Sequence, residues 1–159
     1  MTNNIRTIDN NEGRKLNIAG GEYRIIISGK ETNGTYAIIE MTVPIGAGPV
    51  PHSHPDFEET FFVLEGELTF KTENGSYTAQ KGATVSIPKG GIIHNFKNNS
   101  NKTAKLLCTV VPAGLDDFFV EVNELINKNQ DKEMDLKPSI QLISEKYGQK
   151  LYNPNFWDL

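Results

Sequence analysis

From Leu16 to Val111 the chain reads as short apolar runs cut by Gly, Pro and Asn. Apolar residues recur mostly at every second position within the runs, the period of a strand with one buried face. Residues 22–28, 35–43, 59–72, 76–80, 83–88, 92–98 and 104–111 are therefore predicted strands. Asn33-Gly34 and Asn74-Gly75 are tight-turn signals, because both residue types tolerate positive φ. Many short strands without intervening helices indicate an all-β sandwich or barrel.

After Pro112 the period changes. Leu115, Phe118, Phe119, Val122 and Leu125 fall on one face of a helix, with Asp116 and Asp117 in its first turn, where they complement the helix dipole. A charged link over 127–135 leads to a second short helix, starting at Pro138 and stopping at Gly148, with Ile140, Ile143 and Tyr147 as its buried face. Phe156 and Trp157, in the tail, are expected to pack on the barrel or on a partner subunit. The 159 residues divide into a polar arm (1–15), a barrel (16–112) and C-terminal helices with a tail (113–159), all one domain.

Composition narrows the partners. A net charge of −4 with no basic stripe gives phosphate backbones little to attract them, so no nucleic acid is expected. No stretch reaches the ~20 apolar residues of a membrane span, and the polar opening MTNNIRTIDNNEGRK lacks a secretion signal's apolar segment. The expectation is a cytoplasmic protein, with the single Cys108 buried and inert in an apolar strand. Sequons at Asn33, Asn74, Asn98 and Asn101 are read as loops and turns rather than glycan sites.

The candidate chemistry lies in the three histidines. His52 and His54 stand two apart between Pro51 and Pro55, which favour an extended backbone, so both rings project to one face. Glu59 opens the next apolar run on the face of Phe61 and Val63, while Glu58 points the opposite way. His94 shares its face with Ile92 and Phe96. Three imidazoles and a carboxylate are ligands that borderline divalent metals prefer, and a buried carboxylate needs such a partner.

These residues resemble the two cupin motifs. Gly46, five residues, His52, one residue, His54, four residues, Glu59, six residues and Gly66 match the first without a gap. Gly82, Pro88, His94 and Asn98 match the second, with one residue more between Pro88 and His94 than the pattern holds, so either Gly90 or Gly91 is the motif glycine. An extra glycine is absorbed as a bulge or looser turn, leaving His94 facing inward. The tail is similar to that of small quercetin-dioxygenase-like cupins.

The resemblance implies a double-stranded β-helix jelly-roll barrel. It implies one divalent metal (Fe, Mn, Ni, Zn or Cu) held by His52, His54, Glu59 and His94, against the alternative of a metal-free, hydrogen-bonded cluster. It gives Glu59 the further role of catalytic base. Tyr36, Met41, Phe61, Val63, Ile92 and Phe96 are candidates to line the pocket. The implied function is a metal-dependent dioxygenase acting on a small aromatic or enolisable substrate. A non-catalytic ligand sensor and a metal-dependent isomerase or lyase are the alternatives. A small molecule and a second copy of the chain, forming a homodimer, are the expected partners.

Overall fold

A computed structural model describes residues 4–159; the first three residues of the expected N-terminal arm lie outside it. The strands in chain order are β1 (Arg14–Ile18), β2 (Gly21–Ile27), β3 (Ala37–Val43), β4 (His52–Ser53), β5 (Glu58–Glu65), β6 (Glu67–Thr72), β7 (Gly75–Gln80), β8 (Thr84–Ile87), β9 (His94–Lys97), β10 (Ala104–Val111) and β11 (Lys150–Leu151). Two helices, α1 (Leu115–Lys128) and α2 (Lys137–Lys146), separate β10 from β11. One sheet runs β1-β2-β3-β10-β5-β8 and the other β11-β4-β9-β6-β7, with every pairing antiparallel. This is a jelly roll with two short C-terminal helices.

Alternation sorts the side chains as the sequence requires. Ala37, Ile39, Met41 and Val43 of β3 point inward, as do Glu59, Phe61 and Val63 of β5 and Leu106, Cys108 and Val110 of β10. Burial pushes the Cys108 thiol well above its ordinary value, with the charge of Glu59 adding to the effect, so it stays protonated.

Three local expectations are corrected. The run 59–72 is two strands, β5 and β6, which belong to different sheets. The chain turns the corner at Gly66, whose φ is +70° and where an added Cβ would lie 3.1 Å from the Cα of Ala104. Asn33-Gly34 does not close a two-residue hairpin: Asn33, at φ 52°, ends a single 3-10 turn over Gly29–Thr32. β1 and the two-residue β11 fall outside the predicted strands. β11 is too short for periodicity to show.

α1 lies across one end of the barrel. The Asp116 carboxylate is 1% exposed and accepts the backbone N–H of Gly29 at 2.7 Å, so it anchors the helix rather than only facing its dipole. Asn123 accepts the N–H of Asn17 in β1 at 3.0 Å, and the ring of Phe119 meets Tyr23 edge-on at 5.0 Å. α2 is tied to α1 through Glu121, which accepts hydrogen bonds from Tyr147 and Lys146. Ile140, Ile143 and Tyr147 pack against the core, half-buried. The tail packs on the barrel, where the Trp157 indole N–H donates to Asn95 of β9 at 2.9 Å. No helix among the described residues is long and apolar enough to cross a membrane.

Candidate metal centre

β4 and the residue after it carry His52 and His54, β5 carries Glu59, and β9 carries His94. β4 pairs with β9 so that His52 stands opposite His94, while β5 presents Glu59 from the facing sheet. All four side chains are buried, and one nitrogen or oxygen of each lies within 4.8 Å of the others. Glu58 is exposed on the outer face.

Backbone carbonyls orient the three rings. His52 Nδ1 lies 2.8 Å from the Val50 oxygen, His54 Nδ1 3.0 Å from that of Phe57, and His94 Nδ1 2.9 Å from that of Ile92. A carbonyl only accepts, so in the neutral ring each Nδ1 carries the proton and each Nε2 keeps its lone pair. Nε2 of His54 and of His94 have no hydrogen-bond partner among the described residues, although both are buried. Glu59 Oε1 lies 3.6 Å from His54 Nε2, beyond hydrogen-bond reach.

The residue before β9 that exceeds the motif spacing is absorbed without turning His94 away. Gly90 and Gly91 both take positive φ, 118° and 83°, and the Gly90 N–H donates to the Pro55 oxygen at 3.0 Å. The loop thereby closes over the segment that carries the histidine pair.

Burial sets the protonation of the cluster, modified by the groups within it. His94 is pulled down to about 4, first by desolvation and then by His52. His52 is lowered by desolvation, which outweighs the pull of Glu59. His54 moves the other way: burial acts to lower it, but the adjacent Glu59 carboxylate raises it further. Glu59 is pushed up by burial and pulled down more strongly by His54, His52 and His94, so it stays ionised at neutral pH.

Three imidazoles, of which His54 and His94 have buried Nε2 atoms with no hydrogen-bond partner among the described residues, and an ionised carboxylate fit a divalent ion. With all four candidate atoms within 4.8 Å of one another, His52, His54, Glu59 and His94 are the residues that would hold one ion.

A cavity of about 270 Å³ adjoins the cluster and is walled by His52 and Glu59. Of the candidate lining residues, Met41, Phe61 and Phe96 border it. Tyr36, Val63 and Ile92 do not. Tyr36 precedes β3 and is only half-buried, and Val63 sits further along β5 in the closed core. Ile92 falls short of β9 and lines a separate groove beyond His94 with Phe70 and Pro88.

The opposite wall was not anticipated. It comes from Leu115, Phe118, Phe119, Val122 and Ile126 of α1, Ile140 of α2, and Gln149 and Leu151 around β11. The apolar faces of the two helices are visible in the sequence, but nothing local says that they cover a cavity. Tyr23 also lines it, and burial, with smaller contributions from Cys108 and Glu59, keeps its phenol protonated.

The chain resembles known proteins over the segment that holds these ligands. A family model described as a cupin domain matches residues 39–110. A quercetin 2,3-dioxygenase of Bacillus subtilis is 28% identical over 112 residues, 70% of this chain and 33% of that enzyme. An uncharacterised protein of Aquifex aeolicus is 32% identical over 92 residues, covering 57% of this chain and 74% of its own length. The chain thus spans only about a third of the length of the Bacillus enzyme. Among solved structures, a predicted oxalate decarboxylase of Thermotoga maritima superposes with a TM-score of 0.60 at 19% identity, over 67% of this chain and 99% of the other. That likeness is one of fold.

Proposed function

The chain belongs to the cupin superfamily, and on that premise we propose that it is a metal-dependent oxygenase acting on a small aromatic or enolisable molecule. In this reading Nε2 of His52, His54 and His94 and the carboxylate of Glu59 hold one divalent transition-metal ion. The observation that carries it is the set of three Nδ1–carbonyl contacts, which leaves every ring with its lone pair on Nε2, toward the shared centre. An Nε2 that only accepts needs a donor or an ion, and among the described residues neither His54 nor His94 has a donor there.

The bound ion would supply Lewis-acid and redox chemistry to an oxygen of the substrate. The protein's own groups do the rest. Glu59 is ionised and borders the cavity, so its Oε atoms can take the proton of a phenol or enol hydroxyl that enters there. Phe118, Phe119, Ile140 and Leu151 keep bulk water from that proton and favour a flat, largely apolar molecule. At about 270 Å³ the cavity falls just below the ~300–1,000 Å³ typical of drug-sized ligands, which confines the substrate to small compounds.

The similarity to a quercetin 2,3-dioxygenase supports the oxygenase reading over the isomerase, lyase and sensor readings. Its test is oxygen uptake by the metal-loaded protein with a panel of flavonols and smaller enolisable ring compounds. Uptake that disappears in Glu59→Ala supports oxygenase chemistry. Saturable binding without uptake makes the protein a sensor, and conversion of the compound without uptake makes it an isomerase or lyase.

A further inference from the structure

Gln149 is 5% exposed, and its side-chain Nε2 has no hydrogen-bond partner among the described residues. A buried amide N–H without a partner destabilises a fold by roughly 1–3 kcal/mol, so its place calls for an explanation. The residue also lines the cavity beside the metal centre, where the other walls are almost entirely apolar.

Its position is built rather than incidental. The Gln149 N–H donates to the Ser144 oxygen at 2.9 Å, closing the turn that ends α2. Two residues on, Leu151 pairs with His52 across β11 and β4. Along an extended chain residues two apart share a face, and both Gln149 and Leu151 line the cavity. The strand that pairs with a candidate metal ligand therefore begins at the residue after Gln149.

We propose that Gln149 is a specificity-determining donor: its amide binds an oxygen of the ligand, at a point separate from the metal centre. The preferred ligand is then a small, mainly apolar ring compound with two oxygen functions, one for the ion and an acceptor oxygen for Gln149. The two-oxygen description rests on the metal reading above; the role of Gln149 in the cavity does not.

The probes are 3-(4-hydroxyphenyl)propanal, which has a phenol and an acceptor carbonyl insulated from the ring, and 4-propylphenol, which keeps a phenol of similar acidity alone. Calorimetric titration of zinc-loaded protein should show the aldehyde bound about 5–10-fold more tightly, the effect of one neutral hydrogen bond. Gln149→Leu should abolish that preference. In ligand-free protein the same substitution should raise Tm by about 2–4 °C, because it removes an unpaired buried amide from an apolar wall. A Gln149 that serves only to hold the turn would lower Tm instead. A preference that survives in Gln149→Leu, a lowered Tm, or no binding of either probe at millimolar concentration overturns the proposal. Repeating the titration after chelation separates the two readings. Loss of phenol affinity with the aldehyde preference intact is expected of a metal centre, while affinities indifferent to chelation count against the metal and leave Gln149 standing.

Discussion

His52 stands directly opposite His94 across β4 and β9, with ring centroids 4.4 Å apart, closer than His52 is to His54 at 5.9 Å. The closest two of the three imidazoles are therefore ones that 41 intervening residues separate in sequence. The centre depends on sheet register as much as on the alternation that aims His52 and His54 together.

That dependence makes His94 the residue whose loss should matter most to ion binding. An ion at a hundred times its Kd stabilises the fold by about 2.7 kcal/mol, or about 5–10 °C in Tm for a domain of this size. Differential scanning calorimetry with and without one equivalent of Zn, Mn or Ni should show that rise in the native protein. Elemental analysis of His94→Ala should find well under one ion per chain, and its Tm should not respond to added metal.

The metal-free protein should lose stability in acid. His94 titrates near 4 when folded, against an ordinary 6.5, so between those values the unfolded chain binds the extra proton. The stability is full above about pH 6.5 and falls until about pH 4, a loss of about 3 kcal/mol. His52 shifts the same way, and the lowered value of Glu59 extends the loss to lower pH. His54 opposes them, since its raised value stabilises below pH 6.5 and that contribution disappears as pH rises through it. Urea denaturation of chelated protein from pH 7.5 to pH 4 measures the balance; a flat profile would contradict it.

Asn98, the last residue of the second motif, is a structural post. Its Nδ2 donates to the Val43 and Lys102 oxygens at 2.9 and 2.7 Å, and its Oδ1 accepts from the N–H and Oγ of Ser100. With 0% exposure, the side chain is inaccessible to a glycosylating enzyme in the folded state. Asn98→Ala should destabilise the protein by about 2–4 kcal/mol in urea titrations, with metal stoichiometry unchanged.

Phe119 joins the helical wall to the barrel through its edge-on contact with Tyr23. Phe119→Ala should cost about 3 kcal/mol, at the lower end for a buried phenylalanine because one side of the ring already faces the cavity. It should also widen the cavity. Binding of larger ring compounds should then strengthen relative to small ones, as a fluorescence competition series would show.

Much of the ligand set was legible because it depends on local rules. Pro51 and Pro55 extend the chain around His52 and His54, and a strand's two-residue period separates Glu59 from Glu58. What was not legible depends on distant partners. Nothing around Gly66 says that the strand leaves one sheet for the other there; the reason lies in its close approach to Ala104. The carbonyls of Val50, Phe57 and Ile92 that fix the rings carry no side-chain signal. Gln149, a polar residue after a helix-ending glycine, looks like any solvated turn until α2 folds over the cavity.

The two-residue strand β11 has a consequence for the local stability of the cavity wall. β10, eight residues long, is gripped on both sides by β3 and β5, whereas β11 is held on one side only, by β4. Elements with few ladder bonds detach at far lower free energy than central strands. The barrel thus sets the three rings and Glu59 among buried strands and closes one side of the cavity with its most weakly laddered one. Amide exchange at Lys150 and Leu151 should therefore run ahead of exchange in β10.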